Sequence, residues 1–198
     1  LVARRLHQSL RITFITGCLA VAILFVFADP IMNAMYGKTN AAIYITFLAP
    51  IFIFAYYQMP LQAVLQAMNM AKSAMVNSTV GAAVKLSMIF ILTSQPQFGI
   101  MGTAIGIGCG IVAVTFLHFA TIAKRIQLSL NIKSYLMILA AAFVAGAAGK
   151  MLYAQLDHAL SLYISIGCLC VTYAFILIAS RTVTKTEIVS FFMPGRKK

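Results

Sequence analysis

Acidic residues are almost absent from this sequence. Asp29, Asp157 and Glu187 are the only three carboxylates in 198 residues, against 15 Lys and Arg. General acid–base catalysis and hard-metal binding both use carboxylates held close together, and three acids this widely separated along the chain do not form such a group. We therefore expect no enzyme activity, no metal site and no cofactor.

Soft-metal ligands are equally sparse. The four cysteines fall within apolar stretches, and Cys168-Leu-Cys170 has no matching pair of His or Cys elsewhere, as a zinc site would need. We interpret all four as small packing residues, which predicts no disulfide framework: Cys18, Cys109, Cys168 and Cys170. Of the three histidines only His118 lies deep in an apolar stretch. It is a candidate for proton relay, but the sequence shows no partner for it.

Polar segments long enough to fold as a soluble domain are also missing. The chain consists instead of six apolar stretches, each near or above the ~20 residues that a helix needs to cross ~30 Å of hydrocarbon. The predicted spans are residues 12–35, 41–68, 74–94, 100–123, 135–154 and 160–180. We therefore predict an all-α fold, a multi-pass transmembrane helical bundle of six spans that forms one unit over residues 1–198.

Basic residues are concentrated on one side of this predicted bundle. Most of the 15 lie in every second gap or in the tails: Arg4, Arg5, Arg11, Lys72, Lys124, Arg125, Lys133, Arg181, Lys185, Arg196, Lys197 and Lys198. The positive-inside rule then predicts that both termini are cytoplasmic and that the gaps near residues 33–40, 95–99 and 155–159 face outward. A nucleic-acid surface would need these charges on one face with aromatic platforms, so we expect no nucleic-acid partner.

Lys85 lies near the middle of the third predicted span. A lysine at that depth costs roughly 2.5–3.5 kcal/mol on insertion scales, and none of the three acids lies at a matching depth. The ammonium group either faces a water-filled cavity or an anionic ligand, or it bonds backbone carbonyls inside the bundle. Ser78, Gly81 and Ala82 share its helical face and predict room beside the amine.

A polar stripe occupies the second span. Gln58, Gln62 and Gln66 recur every four residues and so share one helical face, and Pro50 and Pro60 interrupt the same span. Broken helices with polar faces line transporter cavities, which makes these glutamines candidates, with Lys85, for substrate binding. The alternative is that they form hydrogen bonds between helices.

Small residues repeat at four-residue spacing in two further spans. Gly102, Gly106 and Gly110 form overlapping repeats in the fourth span, and Gly146 and Gly149 each follow an alanine by four residues in the fifth. This spacing is typical of close helix–helix packing. Residues 106–110 are glycine-rich but do not form a phosphate-binding loop, because no strand precedes them and no Lys-Ser/Thr follows.

Four motifs give the chain a family resemblance. Phe-Ala-Asp-Pro-Ile-Met-Asn-Ala-Met-Tyr-Gly at 27–37, Leu-Gln-Ala-Val-Leu-Gln-Ala-Met-Asn-Met-Ala-Lys at 61–72, Val-Gly-Ala-Ala-Val-Lys at 80–85 and Phe-Gly-Ile-Met-Gly-Thr-Ala-Ile-Gly at 98–106 occur in this order. In them the chain resembles the polysaccharide-transporter branch of the multidrug/oligosaccharidyl-lipid/polysaccharide exporter superfamily. Within that branch it is most similar to the sporulation members, which are lipid II flippase-like.

The resemblance implies a fold and an activity. The family has fourteen helices, arranged as two six-helix lobes and two further helices around a central cavity, and the six spans match helices nine to fourteen. We therefore expect this chain, which begins at Leu1, to be the C-terminal part of such a protein. Its expected partners are a lipid-linked saccharide or peptidoglycan precursor, the missing N-terminal lobe and membrane lipid. The last two spans, with small residues at 140–149, correspond to helices that can hold a lipid tail.

The expected function is therefore transport by alternating access across the cell (cytoplasmic) membrane. Lys85 falls where relatives often carry a basic residue, which implies contact with a pyrophosphate or with the other lobe. A cation-coupled multidrug extruder of the same superfamily is the first alternative, although it would need a buried acid that this sequence does not show. A non-transporting membrane scaffold is the second, and enclosure of Lys85 by protein would favour it.

Overall fold

The computed structural model describes residues 2–126, 132–156 and 160–180, and within these ranges the chain forms helices and no strand. Asp157, Glu187 and the basic residues from Arg181 onward lie outside them. The helices in chain order are α1 (Val2–Val26), α2 (Ala28–Tyr36), α3 (Ala42–Leu48), α4 (Phe52–Ala67), α5 (Ala71–Thr93), α6 (Gly99–Ala123), α7 (Ile132–Gln155) and α8 (Ser161–Ala179). They divide into two compact units, Leu1–Leu130 and Asn131–Lys198. The prediction of one bundle over the whole chain stays a prediction.

Five of the described helices are long and apolar enough to cross a membrane: α1, α5, α6, α7 and α8. A sixth crossing is formed if α3 and α4, which are bent by 50° at a short break, count as one span. Helices satisfy their backbone groups internally, as hydrocarbon requires. The prediction of an all-α, multi-pass membrane fold is confirmed.

Two of the predicted spans consist of more than one helix. The span predicted at residues 12–35 coincides with α1, which already begins at Val2, and α2, separated by a break at the buried Phe27. Pro30 lies in the first turn of α2, where the proline's missing N–H costs nothing because no intrahelical acceptor is available there. In the next span the bend lies at Pro50, whereas Pro60 remains inside α4 without ending it.

The α5–α6 hairpin contains the closest helix contact described in the first unit. A methyl group on Gly102 would lie 2.7 Å from the Leu92 carbonyl carbon, and one on Gly106 would lie 2.7 Å from the Ile89 backbone nitrogen. Only glycine permits backbones to approach this closely, which is how small residues bring membrane helices together. Each step of four residues forward along α6 is matched by a step of three or four residues backward along α5. The two helices are therefore antiparallel and pair in a constant register.

The second unit pairs α7 with α8. The buried residues of α7 lie on one stripe and are mostly small: Ile138, Ala141, Ala142, Ala145, Gly146 and Gly149. The facing helix buries Ser165, Leu169, Tyr173 and Leu177 at four-residue spacing. This arrangement places the two glycines predicted for helix packing among the buried residues of α7.

Gly106→Ala should destabilise the protein by about 1–3 kcal/mol, because the new methyl group overlaps the α5 backbone and forces the helices apart. The measurement is the free energy of unfolding of the full-length protein, from SDS titration in mixed micelles. Gly167→Ala on α8 is the matched control, since among the described residues a methyl group there would have nothing within 4 Å apart from its chain neighbours and its own helix backbone. We expect the control to be neutral or stabilising by up to about 1 kcal/mol. Equal unfolding midpoints for the two variants would contradict the close α5–α6 contact.

Candidate functional site

Lys85 lies in the α5–α6 contact, directly opposite a glycine. A methyl group on Gly110 would lie 2.5 Å from the Lys85 Cβ and 3.1 Å from its Cγ. The Cβ and Cγ atoms of Lys85 therefore pack against α6 at Gly110, where any side chain would overlap them. The side chain is partly buried. Gly110 thus allows a long cationic side chain in the middle of a close helix contact.

The position of Gly81, which shares the helical face of Lys85, is covered by α6. A methyl group on Gly81, one turn earlier on α5, would lie 3.1 Å from the Val114 Cβ and 3.3 Å from the Val114 backbone nitrogen. Val114 of α6 therefore fills the space at Gly81. Ala82, the next residue, is exposed. Open space next to the Lys85 helix lies on the surface that α6 does not cover.

The exposed surface of α5 is unusual for a membrane helix. Of the five membrane-spanning candidates in the described residues, α5 has the lowest mean hydropathy, and only 6% of its apolar window is buried, against 22–33% in the others. Thr79 and Ser87 lie on the exposed face, two turns apart with Ala83 between them. Polar groups in membrane segments usually face protein or a water-filled cavity. The Thr79 hydroxyl, however, donates to the Met75 carbonyl at 3.0 Å, and large apolar side chains such as Leu86 and Phe90 are exposed on the same helix. The uncovered surface of α5 is therefore of mixed polarity.

The three glutamines of α4 have different surroundings. Gln58 donates from its Nε2 to the Ile111 carbonyl at 3.2 Å and lies 3.4 Å from the Thr115 Oγ1. The buried Thr115 hydroxyl is also 2.9 Å from the carbonyl oxygen of Phe54. Gln58 thus connects α4 to α6, the alternative that the sequence left open. Gln62 is partly buried and Gln66 is exposed, so only these two extend the stripe toward solvent.

A second buried polar group, which sequence reasoning did not identify, joins α5 to α6. The Asn77 amide nitrogen is 3.2 Å from the His118 Nδ1 and 3.0 Å from the Thr121 Oγ1. An amide nitrogen donates and carries two hydrogens, so it can serve the Thr121 hydroxyl and, in the tautomer that carries its proton on Nε2, the His118 Nδ1 as well. Thr121 in turn donates to the Leu117 carbonyl at 2.7 Å. Asn77 is therefore the partner that His118 lacked in the sequence.

The glycine repeat of α6 could have predicted the Asn77–His118 contact from the sequence. Continuing the steps of four from Gly110 leads to Val114 and then His118, and continuing the opposite steps from Lys85 leads to Gly81 and then Asn77. One register therefore positions both the candidate lysine and the Asn77–His118 pair.

Metal binding has no support among the described side chains. No three residues of the His, Cys, Asp and Glu types come together within those ranges. The cysteines Cys18, Cys109, Cys168 and Cys170 are free thiols. What the described residues bring together is one cation at mid-span and hydrogen bonds between helices.

Two curated proteins are similar to this chain. Stage V sporulation protein B of Bacillus subtilis (strain 168) is 40% identical over 199 residues, which cover 98% of this chain and 38% of that protein. Sporulation protein YkvU of the same organism is 36% identical over 129 residues, covering 65% of this chain and 29% of that protein. The chain thus spans less than two fifths of the length of either relative. No family model and no solved structure matches it.

Asn77→Ala should destabilise the α5–α6 hairpin by about 1–2 kcal/mol, because it removes two donated hydrogen bonds and leaves a buried imidazole nitrogen without its donor. The same SDS titration measures this change. Ser78→Ala, at the neighbouring and only partly buried position, is the control and should leave the unfolding midpoint unchanged. A midpoint for Asn77→Ala equal to that of the control would show that the pair contributes nothing to stability.

Proposed function

Because this chain belongs to the family of stage V sporulation protein B, we propose that it is part of a membrane transporter that flips lipid-linked saccharides or peptidoglycan precursors. The transported molecule crosses the cytoplasmic membrane by alternating access, in spore-cortex or cell-wall synthesis. Both termini of the chain face the cytoplasm, as the distribution of basic residues predicts. The cycle involves rearrangement of helices around an aqueous cavity and no bond chemistry in the chain itself.

The observation that carries this proposal is the position of Lys85. A mid-span ammonium group is costly in hydrocarbon and is stabilised where it meets water or an anion. Lys85 lies on the least buried and least apolar of the membrane-spanning helices described, and the packing at Gly110 holds its stem in one place. We place the cavity wall on the surface of α5 that α6 leaves uncovered, at the edge of the contact, where the partly buried Lys85 side chain remains partly accessible.

The substrate group that Lys85 recognises is the pyrophosphate of the lipid-linked precursor. An ammonium group offers three donors and a point charge, and lysine is a common phosphate ligand in proteins. Its attraction to an anion is stronger in a cavity of low dielectric constant than in bulk water. Gln62 and Gln66 contribute amide groups from α4 toward the sugar or peptide portion, whereas Gln58 maintains the contact between α4 and α6.

Lys85→Ala in the full-length protein should abolish complementation of a strain that lacks it, while the amount of protein in the membrane stays normal. Lys85→Arg should retain activity, because the interaction needs the positive charge more than the shape of the lysine. Lys150→Ala, which removes an exposed lysine near the end of α7, is the control and should complement fully.

Full complementation by Lys85→Ala would remove this lysine from the mechanism and favour a structural role. Loss of activity in both Lys85→Ala and Lys85→Arg, with normal protein levels, would contradict a role for charge alone. Drug export that is unaffected by Lys85→Ala would favour the cation-coupled extruder.

A further inference from the structure

A groove of about 550 Å³ runs between α1 and α4. The helices are antiparallel there, since Phe14 stacks on Tyr57 with ring centroids 6.1 Å apart, while Gly17, further along α1, meets Tyr56, which precedes Tyr57 on α4. The α1 side of the groove extends from Thr13 to Leu24. At 1.5 Å per residue this is about 16 Å, roughly half the ~30 Å thickness of the hydrocarbon layer.

The groove presents carbon atoms to whatever fills it. Tyr56 approaches α1 closely because Gly17 has no side chain, and a methyl group there would lie 3.2 Å from the tyrosine Cδ2. Ala55 also lines the groove, and its small side chain leaves room there. The Thr16 hydroxyl is satisfied by its own helix, at 3.2 Å from the Ile12 carbonyl and 3.1 Å from the Thr13 carbonyl. A groove of this kind within a membrane span is filled by hydrocarbon, because water needs polar partners.

The two ends of the groove differ in charge. Its Thr13 end adjoins a buried cluster, here called the basal cluster, which consists of Leu6, Leu10, Leu61, Leu65, Ala74 and Ile122. Four exposed basic residues lie within three positions of a member of that cluster: Arg5, Lys72, Lys124 and Arg125. Beyond the Leu24 end lies Asp29, exposed in the first turn of α2 and the only acidic residue in the described ranges. An elongated anionic amphiphile therefore has one favourable orientation.

We propose that this groove binds one hydrocarbon chain of an anionic membrane phospholipid, with the phosphate at the basic end near Arg5. Arg5 is suited to this contact because eleven residues, or about three helical turns, separate it from Thr16, so both lie on nearly the same face of α1. Lys85 does not line the groove. The site is therefore separate from the proposed transport pathway and holds a lipid of the surrounding bilayer.

The test uses native mass spectrometry of the full-length protein in detergent, titrated with phosphatidylglycerol or with phosphatidylcholine of the same acyl chains. We expect the protein to bind one phosphatidylglycerol more tightly than phosphatidylcholine. Ala55→Trp places a bulky ring in the groove and should weaken phosphatidylglycerol binding at least about tenfold, since displacing two buried CH₂ groups is already sufficient for that change. Ala147→Trp, at an exposed position of α7, is the control and should bind as the unmodified protein does.

Two further variants make the result specific. Ala55→Leu fills less of the groove and should give a smaller loss, which keeps the test valid if the tryptophan variant does not fold. Arg5→Gln should remove the preference for phosphatidylglycerol while phosphatidylcholine binding stays unchanged. Equal phosphatidylglycerol binding by the Ala55 variants and the Ala147→Trp control would overturn the proposal, and is the result expected if another helix covers the groove. Equal binding of the two lipids by the unmodified protein would overturn the role of charge.

Discussion

The contact between α5 and α6 is the constraint on which the arrangement of the first unit depends. Lipid tails are as apolar as leucine side chains, so membrane helices associate through close packing and polar contacts rather than through the hydrophobic effect. The backbones approach at Gly102, Gly106 and Gly110. The Asn77–His118 hydrogen bond lies at the other end of the same contact, here called the α5–α6 seam. Thr93 and Thr103, with hydroxyl oxygens 3.2 Å apart, add a polar contact near the turn between the helices. Lys85 is positioned by this seam.

Lys85 fits into the close α5–α6 contact because it faces Gly110, which has no side chain. Any residue larger than glycine at position 110 would meet the Lys85 stem, and moving that stem would move the charge at its end. The glycine repeat, which the sequence assigns to packing, and the partly buried lysine, which it assigns to function, therefore form one structural feature. The packing of α6 determines where the charge of α5 is presented.

Much of the fold could be predicted from residue types alone. Hydrophobic length is sufficient to identify membrane helices, and the family resemblance carried by the four motifs is confirmed by the match to stage V sporulation protein B over nearly the whole chain. The helix breaks were harder to predict. Pro50 and Pro60 look equivalent in the sequence, but only Pro50 lies at a bend, because a proline within a long helix can be accommodated by its neighbours.

The surroundings of individual side chains could not be predicted in the same way. A polar stripe such as Gln58, Gln62 and Gln66 shows that a face is polar but not what lies opposite, since that depends on the register of a second helix. Here the register gives Gln58 a carbonyl of α6, and it fills the space beside Gly81 with Val114. The sequence placed His118 deep in a span but did not reveal its partner, because the partner also depends on the register of the second helix. Sequence periodicity defines faces, and only the pairing of helices defines sites.

The turn between α4 and α5 has a mechanical consequence. It contains only the three residues between Ala67 and Ala71, and Asn69 adopts a left-handed conformation with φ of 58° to complete it. A connection this short, together with the Gln58 bond to α6, leaves α4, α5 and α6 little freedom to slide or tilt independently. Any large displacement within the first unit therefore falls on the interruptions that precede α4, at Phe27, at residues 37–41 and at the bend near Pro50. Those three joints, rather than the α5–α6 contact, are where the chain can flex while its helices stay intact.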